Sequence, residues 1–361
     1  MTDPTAPNET NPNPNPSATL NPGPGPGPGP GPVPDAARKV VLSGLRPTGL
    51  IHLGNYWGAV KNWVDLQEHF ACRYFIADLH ALTTGYSDTS SVRTSTLEAV
   101  KDLLSAGIDP ERSVLFLQSR VPQHAELALL LGMITPLGWL ERVPTYKEQI
   151  DQLKEKDLFT YGFLGYPVLQ TADIAIYLAN YVPVGKDQES HLEIAREIVR
   201  RFNGMYGEVF PEPQPLFTPS PKVPGLDGRK MSKSYDNTIA LSSSAAQVKG
   251  SVMSMVTDTK RVRRTDPGTP EDCHLFPFHQ LYSPPEQVAL VDAECRTAAR
   301  GCVDCKKHLI GNVNAALEPM RERRAAWDDA RAAEVIEAGS AKARLLATAT
   351  MEKVTAAMRL L

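Results

Sequence analysis

Three short apolar runs, Val40-Val41-Leu42, Tyr74-Phe75-Ile76-Ala77 and Val114-Leu115-Phe116-Leu117, are flanked by polar, Gly or Pro residues, as buried strands are. Between them, apolar residues recur at helical spacing: Val60, Val64 and Phe70 in a helix starting near Asn55, then Val92, Val100, Leu103 and Leu104 from about Ser90. Strand, helix, strand, helix, strand with short connections predicts an α/β fold, a Rossmann-like doubly wound parallel sheet that binds ligands at the carboxyl ends of its strands. From Pro122 the pattern turns mainly helical, an insertion over about 122–160. Alternation resumes with a helix begun by Pro167, the strand Tyr181-Val182-Pro183-Val184, and a helix from about Gln188 to Phe202. A connection rich in proline (Pro211, Pro213, Pro215, Pro219, Pro221, Pro224) leads to a lysine-bearing loop at 225–236, and residues 237–361 are almost wholly helical by pattern. The sheet domain is accordingly placed at 37–224 and an all-helical second domain at 237–361.

Residues 1–36 alternate Asn-Pro and then Gly-Pro, with almost no large apolar side chain. Such a stretch cannot bury enough surface to offset ordering, and a disordered tail is expected. The remainder is long enough for two packed domains, and 42% hydrophobic residues supply their cores. A net charge of -3 excludes bulk attraction to nucleic acid, so such a partner requires a local basic patch. Without a long apolar run or a signal-peptide pattern, a soluble cytoplasmic protein without a membrane partner is expected.

The turn after the first strand reads Ser43-Gly44-Leu45-Arg46-Pro47-Thr48-Gly49-Leu50-Ile51-His52-Leu53-Gly54-Asn55. It lacks the closely spaced glycines of a dinucleotide fingerprint, which argues against NAD. Gly54 permits close approach at a helix start, with His52 and Asn55 beside exposed amides where phosphate charge is favoured. Alone, this is equally a capped helix. The second loop, Lys230-Met231-Ser232-Lys233-Ser234, carries two ammonium groups three residues apart that could reach one pyrophosphate. Both loops together point to ATP chemistry, and a nucleotidyltransferase or an inactive RNA-binding relative also fits the residues so far.

The paired loops resemble the two signatures of class I aminoacyl-tRNA synthetases. Ala77-Asp78 with His80-Ala81, Tyr166-Pro167 with Ala172-Asp173-Ile174, Pro183-Val184-Gly185 with Asp187-Gln188, and Arg201-Phe202-Asn203 are similar to bacterial tryptophanyl-tRNA synthetases, from about residue 40 to the C-terminus. The resemblance implies activation of L-tryptophan by ATP and Mg²⁺, transfer to tRNA(Trp) read by the helical domain, and a homodimer. It implies catalytic roles for His52, Asn55, Lys147, Lys230 and Lys233. ATP contacts would come from Arg46, Pro47, Thr48, Gly54, Asn55, Gly185, Lys186, Asp187 and the loop Lys230, Met231, Ser232, Lys233 and Ser234. Leu42, Gly44, Tyr166, Gln170, Asp173 and Gln188 would bind tryptophan. Two positions depart from the pattern: Asn55 replaces a second His but can still donate to phosphate, and Leu53 replaces Ile. Arg46 stands where some relatives carry Gln.

Tyr166, Gln170, Asp173 and Tyr177 share one face of the helix that Pro167 starts, expected to look into the cleft. An indole N–H is a donor without acceptor character, so a buried Asp173 matches it, whereas phenylalanine would leave the carboxylate unpaired. Arg261, Arg263, Arg264, Lys306 and Lys307 are expected phosphate contacts for tRNA.

Four of five cysteines, Cys273, Cys295, Cys302 and Cys305, fall within 33 residues, the last three spaced C-x6-C-x2-C. This set suits an iron–sulfur cluster or zinc, with reduced thiols as the plain alternative. The arrangement resembles a subgroup of tryptophanyl-tRNA synthetases, which implies a [4Fe-4S] cluster. Its first interval is one residue shorter here, a deletion the Ser283-Pro284-Pro285 loop can absorb. Cys72 is expected in the core.

Overall fold

The computed structural model describes residues 38–143, 146, 158–185, 189–217, 221 and 223–360. The predicted tail, part of the insertion, and Lys147, Lys186, Asp187 and Gln188 lie outside them.

Strands β1 (Val40–Leu45), β2 (Ala71–Ile76), β3 (Ser113–Leu117), β4 (Tyr181–Val184) and β5 (Gln214–Phe217) form one sheet in the order β3-β2-β1-β4-β5. Every pairing is parallel, and the order reverses between β1 and β4. That reversal opens a crevice at the carboxyl ends of the strands. Every residue of the interior strand β2 is buried, as expected of a parallel strand covered on both faces. It begins three residues before the predicted run because Arg73 interrupts the apolar pattern; its Nη1 donates to the Cys72 carbonyl within the core. Strand β5 falls in the segment read as a proline-rich connection. It is an edge strand, where a missing N–H is tolerated, and Pro215 pairs with Val182.

After β1, helix α1 (Leu53–Asn55) passes through a π turn (Tyr56–Val60) into α2 (Lys61–Leu66). Helices α3 (Asp78–Gly85) and α4 (Val92–Ala106) lead to β3, α5 (Gln123–Ile134) and α6 (Leu137–Leu140) occupy the insertion, and α7 (Tyr161–Leu164) follows it. Then follow α8 (Tyr166–Ala175) and α9 (Glu189–Tyr206). Beyond the lysine loop come α10 (Ala245–Ser254), α11 (Phe276–Tyr282), α12 (Pro285–Arg296), α13 (Cys302–Ala325) and α14 (Asp329–Ala357). One core unites Val60, Trp63, Val100 and Leu103 with Leu309, Val313 and Leu317 of α13. The other unites Leu127, Leu131, Ala172 and Phe202 with Ala343, Ala347 and Met351 of α14.

Helix α14 therefore returns from the helical region to the sheet and covers the free edge of β3. The Leu117 N–H donates to Ser340 Oγ at 3.3 Å, and Gly339 lies so near that a Cβ there would stand 1.8 Å from the Leu115 carbonyl oxygen. Blocking an edge strand in this way removes a template for aggregation. Gly339→Ala should gain helix propensity yet lose stability by about 2 kcal/mol, because the added methyl displaces the helix from the strand. A melting temperature below the parent's by several degrees checks this, and an unchanged or raised value would contradict the close approach.

Candidate functional site

A cavity of about 490 Å³ opens at the β1/β4 switch. Leu42, Gly44 and Arg46 line it from β1 and the following turn, Tyr166, Gln170 and Asp173 from α8, and Gly185 from the end of β4. The cavity thus gathers seven residues read from sequence. Gly58, Ala59 and Trp63 close it from the π turn and α2, with His80, Phe163 and His191 from neighbouring helices. The π turn has no signature in hydrophobic spacing, which is why Gly58 and Ala59 could not be read from the sequence. Tyr177 is a correction: α8 ends at Ala175, and Tyr177 turns away from the cavity to pack on Phe116 and meet His124.

Asp173 is 1% exposed and sits at the centre of a polar network that sequence did not reveal. Gln118 Nε2 donates to its Oδ1 and Oδ2 at 2.8 and 3.0 Å, His124 Nδ1 lies 2.6 Å from Oδ1, and His80 Nε2 lies 2.8 Å from Oδ2. His124 Nε2 in turn contacts the Tyr177 hydroxyl at 2.8 Å. Burial works to raise the Asp173 pKa, but the facing imidazoles of His80 and His124 outweigh it and hold the carboxyl below its ordinary range. Gln118 and His124 come from the turn after β3 and from α5, so only the fold joins them to Asp173.

The two loops meet beside this cavity. Leu53 N–H donates to the Ile239 carbonyl and Leu241 N–H to Ile51, so residues after the lysine loop form a bridge with the first turn. Gly54 N–H points at Met231 Sδ, 3.3 Å away, and Lys233 Nζ reaches Thr48 Oγ1 at 3.4 Å. Met231 is buried at this joint, Lys230 and Ser234 are exposed, and Ser232 caps the turn by accepting from Ser234 N–H. Buried Asn237, another residue the sequence did not single out, shapes the loop. Its Oδ1 accepts from Ser232 N–H, and its Nδ2 donates to Asp227 and to the Lys230 carbonyl.

His52 and Asn55 form a capping box on α1: the Asn55 N–H donates to His52 Nδ1 at 3.2 Å, and the His52 N–H to Asn55 Oδ1 at 3.4 Å. Burial, assisted by Lys233, pushes the His52 pKa down to about 4, so the imidazole is neutral near pH 7. With Nδ1 accepting, its proton lies on Nε2, which is a donor. Burial also lowers Lys233 to about 8, with Asp102 opposing the shift. Pro47 is buried beneath the turn and Thr48 is exposed on it.

The four cysteines come from three elements. Cys273 follows the 3-10 turn Pro270–Asp272, Cys295 lies near the end of α12, and Cys302 and Cys305 occupy the first turn of α13. Cys305 feels the charge of the other three, and each lies partly buried. A Cβ on Gly268 would meet Cys295 Sγ at 2.5 Å, and Arg261 Nη1 lies 3.8 Å from Cys302 Sγ. His279 Nε2 lies 3.2 Å from Cys305 Sγ. Among the described residues no three His, Cys, Asp or Glu side chains converge as a metal site would need, so this geometry favours neither zinc nor a cluster. Cys72 is buried in the core.

Two predicted tRNA contacts are otherwise engaged. Lys306 Nζ donates to the carbonyls of Met253 and Met255, and Arg261 Nη2 to that of Arg264. Lys307 stands 3.6 Å from Asp304. No helix among the described residues is long and apolar enough to cross a membrane.

Residues 35–318 match the family model described as tRNA synthetases class I (W and Y). The tryptophan–tRNA ligase of Thermotoga maritima is 52% identical, with 89% of this chain and 99% of the relative covered. The chain belongs to the bacterial-type class I tryptophanyl-tRNA synthetases. The family ligase of Aquifex aeolicus is 42% identical over 89% of this chain and 99% of its own. A crystal structure of the synthetase from Campylobacter jejuni, complexed with ADP and tryptophan, superposes with a TM-score of 0.81 at 37% identity. It covers 89% of this chain and all of that one. The family architecture of parallel sheet, helical insertion and following helices is thus the one found here.

Proposed function

We propose that the switch-point cavity is the tryptophan pocket and that the two loops beside it handle ATP. The enzyme is a tryptophan–tRNA ligase: it joins L-tryptophan to ATP, giving tryptophanyl-adenylate and pyrophosphate, and then transfers tryptophan to tRNA(Trp). The observation that carries the site assignment is the direct contact of the loops, Gly54 on Met231 and Thr48 on Lys233, at the mouth of a cavity holding Asp173.

In the first step the tryptophan carboxylate attacks the α-phosphorus in line and pyrophosphate departs. Such a displacement depends on positioning and charge stabilisation, so no general base is needed. His52 Nε2–H and the Asn55 amide donate to phosphate oxygens, while Lys230 and Lys233 stabilise the leaving pyrophosphate. Thr48 and the loop residues Met231, Ser232 and Ser234 shape this seat, with Arg46, Pro47, Gly54 and Gly185 along the nucleotide. Mg²⁺, held on the phosphates, would supply further charge neutralisation. Lys147, Lys186, Asp187 and Gln188 complete the assignment from sequence resemblance.

Leu42, Gly44, Tyr166, Gln170 and Asp173 hold tryptophan. The Asp173 carboxylate already takes four hydrogen-bond contacts, about its full complement of lone pairs. An indole N–H therefore shares or displaces one donor, and His80, which lines the cavity, is the partner it meets. Tryptophan-dependent exchange of pyrophosphate into ATP tests the reading. Exchange with another amino acid, or with none, would sink it.

Residues 237–361 read the anticodon end of tRNA in this proposal, and a second copy of the chain docks on the insertion. Leu129, Met133, Leu137, Phe159 and Tyr161 are 58–80% exposed there, an apolar patch of the kind a partner covers. A monomeric mass by light scattering counts against the dimer. For the cysteine set, the sequence resemblance supports a [4Fe-4S] cluster, and the four thiols come from three elements with Cys305 near enough to feel the charge of the others. Held by Cys273, Cys295, Cys302 and Cys305, it would supply a covalent cross-link among those elements. Burial pushes the Cys305 thiol up to about 12, so loading must release its proton. Anaerobically purified protein should be brown and contain iron and acid-labile sulfide, and Cys302→Ser should lose both; a colourless, iron-free parent overturns the assignment.

A further inference from the structure

Asp102, on α4, is wholly buried and has no part in the chemistry above, yet it lies directly behind both ATP loops. The Ile51 N–H, one residue before His52, donates to Asp102 Oδ2 at 2.9 Å. Arg324 Nη1, from α13 of the helical region, stands 2.8 Å from Oδ1, an ion pair too poorly angled to be a hydrogen bond. Arg324 also grips Glu98, one turn before Asp102 on α4. On the other side, Lys233 is near enough for the ammonium and this carboxylate to feel each other's charge.

We propose that Asp102 is a positioning residue for ATP: one buried carboxylate that registers the His52 turn, Lys233 and helix α13 against one another. A buried carboxylate is costly without partners, and burial pushes this one up to about 6 despite Arg324. Its two contacts come from separate parts of the chain, Ile51 of the first turn and Arg324 of α13, so pairing this carboxylate requires both to be seated together, with Lys233 held beside them on Thr48. A shift of Arg324 with α13 changes the field at Lys233 without any contact to nucleotide. The inference rests on Lys233 being an ATP contact.

The test is steady-state pyrophosphate exchange by the full chain carrying Asp102→Asn, which keeps an acceptor for Ile51 and removes the charge. The KM for ATP should rise, or kcat fall, so that kcat/KM for ATP drops about tenfold, while the KM for tryptophan stays within twofold. Arg324→Met should produce the same selective loss and Arg324→Lys should largely restore the parent's value. Because Arg324 is partly exposed, this pair also serves if Asp102→Asn fails to fold. Parental ATP kinetics in the Asn or Met variant would overturn the proposal. Equal losses toward ATP and tryptophan would overturn it too, since they mark general damage. Lys233→Ala separates the two readings. If it retains full exchange, the assignment of the ATP loop fails; if it loses exchange while Asp102→Asn does not, only the role of Asp102 fails.

Discussion

Lys233→Ala should lower tryptophan-dependent pyrophosphate exchange by about a hundred- to a thousandfold while leaving tryptophan binding nearly intact. That is the range for removing one charge-stabilising donor from a preorganised site. The ammonium is desolvated at the junction of the two loops, with Thr48 as its hydroxyl partner, so its full effect is reserved for charge that develops on the pyrophosphate. The same burial gives a pH signature. Lys233 titrates near 8, and raising the pH through that value removes the proton and the charge. For the free enzyme, kcat/KM for ATP should therefore fall as pH rises past about 8. In kcat the fall should move to higher pH, because bound phosphate charge favours the ammonium. Lys233→Arg, charged throughout, should abolish the alkaline fall even if its geometry slows the reaction. His52, near 4, adds no limb between pH 5 and 7. A parental profile for kcat/KM that is flat from neutrality well into the alkaline range contradicts the assignment.

The second large effect is expected at Asp173. Asp173→Asn preserves shape but replaces an acceptor by an amide whose NH₂ faces His80, His124 or Gln118, all arranged around a carboxylate. The loss in kcat/KM for tryptophan should be about a thousandfold, roughly 4 kcal/mol, within the range for breaking a buried charged network. Discrimination against phenylalanine should narrow at the same time, since the penalty for an unpaired buried carboxylate disappears. His80→Gln, which keeps a donor beside the cavity, should cost far less. Parallel exchange assays with the two amino acids read both effects. An Asn variant that keeps the parent's preference would show that discrimination resides elsewhere in the pocket.

These two side chains mark how far the sequence could be read. Lys233 was singled out from a contiguous lysine-bearing loop, and Asp173 from its helix face together with the resemblance of the surrounding motif. Their settings were not recognisable. The indole argument treated Asp173 as an open acceptor, but Gln118 and His124 lie 55 and 49 residues away and reach it only when α5 packs on α8. Asn55 looked like a phosphate donor, and the fold occupies its amide oxygen with the His52 N–H, leaving the nitrogen end for that task. Likewise Lys306 looked available for tRNA and instead donates to two carbonyls at the end of α10.

Local physics set the parallel strands, the helix starts and the two loops, because hydrophobic period, proline placement and short motifs are encoded within about a dozen residues. The edge strand β5, the π turn and the return of α14 to β3 carry no such local pattern. They were decided when burial had to be satisfied over the whole sheet: Pro215 is acceptable only at an edge, and Gly339 has its value only against Leu115. Asp102 shows the same division, an ordinary helical residue by sequence that becomes a shared anchor once Ile51, Arg324 and Lys233 arrive from distant positions. The chain's local chemistry thus determined which groups could handle ATP and tryptophan. Tertiary packing determined their charge, tautomer and partners, because burial and long-range contacts, not residue type, set those properties.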